Sequence, residues 1–275
     1  MKFKAACVQL NCQDNPQQNF QQAEIIIKDA AKDGADFILT PEHTDIIVKD
    51  KKDYFKYAQK EEESQILAEY KNLAAKLGKW IVVGSMAIKV DYSKKLVNRS
   101  FLIDNNGKVV NSYDKMHQFD VDLEEDKTVY SESDNFIPGE FASVTKTPYC
   151  NLGMTVCYDL RFSTLYHKLA LAGANFITIP AAFTHVTGKA HWHILVRARA
   201  IETGCFVIAA GQTGIHPAGN RSYGHSLIVD PWGVILAQTQ EETGFISANI
   251  DMSISEKVRK QIPNLKHSRD IKVVS

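Results

Sequence analysis

Short apolar runs alternate with amphipathic stretches of helical period along almost the whole chain, and this alternation restricts it to layered strand–helix folds. Residues 3–10 read as a buried strand. Asn15-Pro16 then supplies a cap and first turn for a helix whose apolar face is Phe20, Ala23, Ile27 and Ala30. Gly34 closes that helix, and residues 37–39 form a second strand that ends at Thr40-Pro41-Glu42. Ile66, Tyr70, Leu73 and Leu77 mark another amphipathic helix, closed by Gly78, before a strand at 80–88. A hairpin follows, with residues 98–104 and 108–113 flanking Asn105-Asn106-Gly107.

The second half repeats the pattern. A strand at 152–156 enters Cys157, and Phe162, Leu165, Leu169 and Ala172 form the apolar side of the next helix. Strands at 175–180 and 205–210 bracket a helix at 192–202. Residues 222–229 and 234–237 form a hairpin around Pro231-Trp232-Gly233, and a strand at 244–250 precedes a terminal helix at 253–261. These elements predict two α/β halves sharing a sheet layer. With no linker and no repeat visible in the sequence itself, residues 1–275 are expected to form a single domain. Between the halves, residues 115–142 have few periodic apolar positions and carry Asp120, Asp122, Glu124, Glu125 and Asp126. That composition predicts a long polar loop, of the kind compact proteins keep for function.

Charge excludes some partners. Lys plus Arg and Asp plus Glu both total 32, so nothing in the balance favours nucleic acid or an anionic membrane, and a small uncharged or modestly anionic ligand fits better. No run approaches the ~18 apolar residues of a membrane span. The cysteines at 7, 12, 150, 157 and 205 are odd in number and lack CxxC spacing, and the opening MKFKAACVQL has no signal-peptide pattern, which predicts a reduced, cytoplasmic protein.

Three residues stand in distinctive company: Glu42 in TPEHTD, Lys115 in YDKMHQFDVDL and Cys157 in GMTVCYDLRF. A cysteine on a tight strand-to-helix turn projects its sulfur clear of the sheet, beside backbone N–H groups that favour an oxyanion. An amide nitrogen leaves poorly unless protonated, so a carboxyl such as Glu42 must serve the thiol. A fixed ammonium such as Lys115 offsets charge on the tetrahedral intermediate. Cys7, Cys12, Cys150 and Cys205 lack polar company and read as small buried apolar residues. His191 and His193 have no acidic or cysteine partner at ligand spacing, so packing rather than a metal is expected, and no cofactor. Arg197, Arg199 and Glu202 read as helix-bracing ion pairs.

Taken together, these three segments resemble those of the nitrilase superfamily of carbon–nitrogen hydrolases, in the order Glu, Lys, Cys and across nearly the whole chain. The resemblance implies a four-layer αββα sandwich that assembles as a homodimer or larger homo-oligomer. It also implies Glu42 as general base and acid, Lys115 as oxyanion stabiliser, Cys157 as the nucleophile that forms a thioester, and the Tyr158 N–H in the oxyanion hole. SESDNFIPG resembles the stretch that carries a second, positioning glutamate, here Glu132. CYDLRF, PAAFTHVTGKAHWHILVRARAIET and SYGHSLIVDPWG are similar to the branch acting on deaminated glutathione, releasing α-ketoglutarate and cysteinylglycine. By that similarity Arg161 clamps the α-keto acid carboxylate, while Phe183 and Thr187 belong to the pocket wall. The alternatives are an omega-amidase acting on α-ketoglutaramate, another amidase or N-carbamoyl hydrolase of the superfamily, and a catalytically silent α/β binding or scaffold protein.

Overall fold

Parallel strands need a crossover to bring the chain back to the same edge, and amphipathic helices serve that purpose in both halves. The computed structural model describes residues 1–123, 128–269 and 271–273. In the first half β1 (Lys2–Gln9) leads through α1 (Pro16–Lys32) to β2 (Phe37–Leu39). The short α2 (Tyr54–Tyr57) and then α3 (Gln65–Leu77) carry the chain to β3 (Trp80–Ile88), and β4 (Val97–Ile103) and β5 (Val109–Asp114) follow as a hairpin. Next come β6 (Asp120–Leu123) and β7 (Thr128–Ser131). The second half runs β8 (Val144–Lys146), β9 (Asn151–Met154), α4 (Ser163–Leu171), β10 (Phe176–Thr178), the single turn α5 (His185–Thr187), α6 (His193–Thr203) and β11 (Phe206–Ala209). It ends with β12 (Thr213–Ile215), β13 (Arg221–Tyr223), β14 (Leu227–Val229), β15 (Ile235–Gln238), β16 (Gly244–Asp251) and α7 (Ser253–Gln261).

Local chemistry explains the helix limits. Asn15 accepts the Gln18 amide with Pro16 in the first turn of α1, and Ser64 caps α3, which stops at Gly78 with φ 65°. Each half builds its own six-stranded sheet. The orders are β16-β1-β2-β3-β4-β5 and β15-β14-β11-β10-β9-β8. The strands β1, β2 and β3 are mutually parallel, as are β9, β10 and β11. The sheets pack face to face with helices outside, the αββα sandwich that the resemblance implies, and every residue of β3 is buried, as covered parallel sheets require. Phe3, Phe37 and Phe176 meet across the two sheets with centroids 5.5–6.5 Å apart, each ring contributing about 1.5–3 kcal/mol of burial.

The structure corrects the sequence reading in three places. The halves do not share one sheet, although β16 from the end of the second half pairs with β1 in the first. The stretch at 115–142 is not simply a loop: β6 and β7 form an antiparallel hairpin, followed by a tight turn at Glu132–Asp134. Glu124, Glu125 and Asp126 lie outside the described residues. The run at 222–229 is broken at Gly224-His225, where φ is +71° and +54°. Before that break β13 pairs with β12, and after it β14 pairs with β15, so alternation of apolar residues could not reveal the switch. Among the described residues no helix is long and apolar enough to cross a membrane.

One glycine ties this framework to Glu42. A Cβ at Gly84 in β3 would run into the carbonyl oxygens of Thr40 and Pro41. Gly84→Ala is therefore expected to lower stability by about 1–3 kcal/mol and to reduce turnover by shifting the backbone before Glu42. Urea titration and initial rates on the same variant test this, and wild-type values in both would remove the proposed constraint.

Candidate active site

The carboxyl ends of β2, β5 and β9 bring three distant segments to one place. Beyond β2, the TPEHTD segment is laced to its neighbour: the His43 amide donates to Ser85 Oγ at 3.0 Å and the Thr44 amide to the Ser85 carbonyl. Gln212 Nε2 donates to the Glu42 carbonyl at 2.9 Å, and its Oε1 accepts the Cys12 amide. Glu42 is held by its backbone as well as by its side chain.

Lys115 is 2% exposed. Its Nζ donates to Glu42 Oε1 at 2.9 Å and to Glu132 Oε1 and Oε2 at 2.9 and 2.7 Å, which uses the three donors of an ammonium. Asn98 Nδ2 donates to Glu42 Oε1 at 3.0 Å and to Glu132 Oε1 at 3.2 Å. The Ala182 amide donates to Glu42 Oε2 and the Phe119 amide to Glu132 Oε2. Glu42, His43 and Glu132 bring ligand-type atoms within 4.8 Å of one another, yet the cation between the two carboxylates is already the Lys115 ammonium.

Cys157 opens a 3-10 turn (Cys157–Arg161) between β9 and α4, with φ +48°, a left-handed conformation that side chains disfavour. Its amide donates to the Pro180 carbonyl at 2.8 Å. Asp159 holds the bend from inside. Fully buried, it accepts from the Val156 amide at 2.9 Å, from Tyr113 Oη at 2.7 Å and from the His117 amide at 3.1 Å, and its Oδ1 lies 2.7 Å from His117 Nδ1. Sequence reasoning missed Asp159, although an acid two residues into a tight turn is a recognisable capping signal. It also missed Asn98, whose position in a strand gives no local sign of its role.

Glu42, Lys115, Glu132 and Cys157 open into one cavity of about 670 Å³, whose lining includes Tyr158, Phe183 and Thr187. The Thr187 hydroxyl lies 2.7 Å from that of Thr184. Arg161 is placed differently. It is not among the described lining residues. Its guanidinium lies over the rings of Phe183 and Tyr158, 5.2 and 5.9 Å from their centroids, with His191 Nδ1 at 3.4 Å. His193 packs against Tyr223 and His225. Arg199 pairs with Glu202 at 2.8 Å, whereas Arg197 donates to the Gly233 carbonyl.

Residues 4–260 match the carbon-nitrogen hydrolase family. A deaminated glutathione amidase of Yersinia enterocolitica is 40% identical over 96% of this chain and 92% of its own length, and the human protein of that name is 37% identical over 96% and 81%. The chain belongs to the carbon-nitrogen hydrolase family. Such a hydrolase acts on carbon–nitrogen bonds in linear amides, as an amidase of the nitrilase superfamily. Among solved structures, the Caenorhabditis elegans NitFhit protein superimposes with TM-score 0.90 at 33% identity over 98% of this chain, which spans 65% of that longer protein. Saccharomyces cerevisiae Nit3, a member of branch 10 of the nitrilase superfamily, gives 0.85 at 29% identity over 95% and 94%.

Charges in this hydrolase site are strongly coupled. Burial, the largest single influence, would raise the Glu42 carboxyl, but the Lys115 charge, His43 and the hydrogen bonds from Cys157 and Lys115 together outweigh it and hold Glu42 at about 2. Burial likewise disfavours the Lys115 charge, and the carboxylates of Glu132 and Glu42 reverse this, pushing Lys115 well above its ordinary value. The Cys157 thiol is raised well above its ordinary range, by burial first and by the Glu42 charge second. At rest the cluster thus holds a carboxylate, an ammonium and a neutral thiol. Burial lowers His43, whose ring packs against Tyr54 and Phe136, and keeps it neutral.

Asp45, three residues beyond Glu42, is a buried carboxyl raised by burial to about 7 from an ordinary 3.8, and its Oδ1 has no partner among the described residues. The unfolded chain releases this proton near pH 3.8 while the folded protein keeps it to about 7, so stability falls as pH rises through that window. Glu42 acts in the opposite sense: its contribution is complete above pH 4.5 and is lost as pH falls toward about 2. Asp45→Asn is expected to flatten the decline above pH 3.8 and leave the acid limb in place. Urea midpoints across that range measure this, and an unchanged decline would remove Asp45 as its source.

Proposed function

We propose that this amidase hydrolyses a small α-keto acid amide, with deaminated glutathione as substrate and α-ketoglutarate and cysteinylglycine as products. The buried Lys115 ammonium shared by Glu42 and Glu132, beside the Cys157 thiol in one cavity, is the observation that carries the chemistry. The names of the relatives carry the substrate. As sulfur attacks the amide carbon, the thiol proton passes to Glu42 and negative charge moves to the carbonyl oxygen. The Lys115 ammonium and the Tyr158 N–H receive that charge, the latter in the first turn of a helix where amides lack internal acceptors. The tetrahedral intermediate then collapses. The C–N bond breaks, Glu42 gives its proton to the departing nitrogen, and a thioester remains on Cys157. Water attacks the thioester carbon, losing a proton to Glu42. Expulsion of sulfur releases the acid and restores the thiol with that proton.

Glu132 touches Lys115 but no reacting atom in this scheme, and acts as a positioning residue. Arg161, over the rings of Phe183 and Tyr158, is the cation assigned to the α-keto acid carboxylate, and Thr187 is assigned to the pocket wall. A free-thiol nucleophile suits a reducing, cytoplasmic setting. The homodimer belongs to the same reading, supported by Leu171, Ile194 and Ile201, which expose 56%, 69% and 52% of their surface on α4 and α6. Residues 1–275 are read as one catalytic domain.

The tests separate chemistry from substrate. Cys157→Ala is expected to lose activity by orders of magnitude and to abolish an acyl adduct seen by intact-mass spectrometry, with Cys205→Ala active. Equal losses would mean the nucleophile lies elsewhere. On one preparation, kcat/KM for deaminated glutathione should exceed that for α-ketoglutaramate, and the reverse order would favour the omega-amidase reading.

A further inference from the structure

Charge is distributed unevenly around the cavity. Among the described residues its only lining carboxylates are Glu42 and Glu132, both bonded to Lys115 at the end that holds Cys157. Two negative charges and one positive charge leave that end with a net charge of one negative. The other permanently charged lining residues are all cationic: Lys49, Lys51 and Arg221. Arg221 is occupied, since its Nη2 lies 2.5 Å from Glu241 Oε2.

Lys49 and Lys51 are exposed to solvent and make no ion pair among the described residues. The acids near them are turned to other partners. Asp50 Oδ1 accepts the Lys52 amide at 3.0 Å as the cap of the turn Lys51–Asp53. Asp120, whose carboxylate feels Lys51, accepts the Ser133 amide at 3.0 Å and lies outside the cavity lining. Both lysines follow Glu42 on the segment leaving β2, whereas Arg161 follows Cys157 beyond β9. The two cationic features therefore belong to separate segments of the chain.

We propose that Lys49 and Lys51 form an anion subsite for a terminal carboxylate on the amine side of the substrate, so that the enzyme reads the leaving group as well as the acyl group. This rests on the keto acid amide reading above and deepens it. An amide that releases ammonia has nothing to place there, whereas a leaving dipeptide carries its C-terminal carboxylate toward the cavity mouth. The volume allows it: about 670 Å³ falls among cavities that enclose drug-sized ligands, roughly 300–1,000 Å³. Lysine suits the task. A mobile point charge can follow a flexible peptide terminus without the fixed geometry of a guanidinium fork.

The test compares deaminated glutathione with its C-terminal glycine amide, on wild type, on Lys49→Gln/Lys51→Gln and on the charge-keeping Lys49→Arg/Lys51→Arg. Wild type is expected to prefer the carboxylate form about tenfold in kcat/KM, with the ratio shrinking toward one in the Gln variant and at high salt but retained in the Arg variant. A ratio of one in wild type, or one that survives in the Gln variant, overturns the subsite. Calorimetric titration of each protein with cysteinylglycine and with its C-terminal amide reads the subsite without turnover. A protein that fails to hydrolyse deaminated glutathione yet binds the carboxylate dipeptide more tightly, in a lysine-dependent way, loses the substrate reading and keeps the subsite. One that hydrolyses it with no carboxylate preference keeps the reading and loses the subsite.

Discussion

A single buried ammonium organises this protein. Taking Lys115 out of water costs several kcal/mol unless its charge is matched, and the match comes from Glu42 beyond β2 and Glu132 beyond β7. Three segments that follow different strands are thereby fixed relative to one another. Removing either acid would leave the ammonium half-compensated, and removing the lysine would leave two carboxylates facing each other, so the arrangement tolerates little variation. The same interaction sets the chemistry, because it favours an ionised Glu42 at neutral pH beside the neutral thiol of Cys157.

The scaffold delivers these groups because each half aligns parallel strands, so that their carboxyl ends open in one direction. Two buried polar side chains then do what strand geometry alone cannot. Asp159 ties the Cys157 turn to Tyr113 and His117 on either side of Lys115, joining the lysine and cysteine segments directly. Gln212, from the second half, grips the Glu42 carbonyl in the first. Strained backbone at His43 and Cys157, with φ +52° and +48°, persists because so many bonds converge on it.

Much of this was legible in the sequence. Helical period and capping residues marked α1, α3, α4 and α7 closely, since those signals depend on neighbours within a turn or two. Glu42, Lys115 and Cys157 announced themselves through their position at strand ends and through the words around them. What escaped depended on distant partners. β12, with three residues, has a partner only because Gly224 and His225 turn β13 away from β14. The hairpin of β6 and β7 has strands of only four residues, and the alternation of Val121 and Leu123 with Asp120 and Asp122 is too short to stand out from a polar loop. Asn98 bridges two acids from the start of β4, and only the packing of β4 against β5 and the Glu42 loop gives it that task. Arg161 lies over the rings of Phe183 and Tyr158, a packing between segments far apart in the chain that no local signal encodes.

Burial of Cys157, the proposed nucleophile, has a chemical consequence of its own. A thiolate at Cys157 would add a second uncompensated negative charge to a cluster that already sums to one, in a site where charges are poorly screened. Burial and the neighbouring Glu42 charge therefore favour the neutral thiol at rest. In the proposed reaction a substrate carbonyl changes the balance, because negative charge leaving the sulfur would travel to an oxygen held by the ammonium rather than accumulate near Glu42. Reactivity is thus conditional on correct seating of the amide, and groups that seat it from a distance, through the cationic side chains of the cavity wall, govern the same event as the residues that touch the bond.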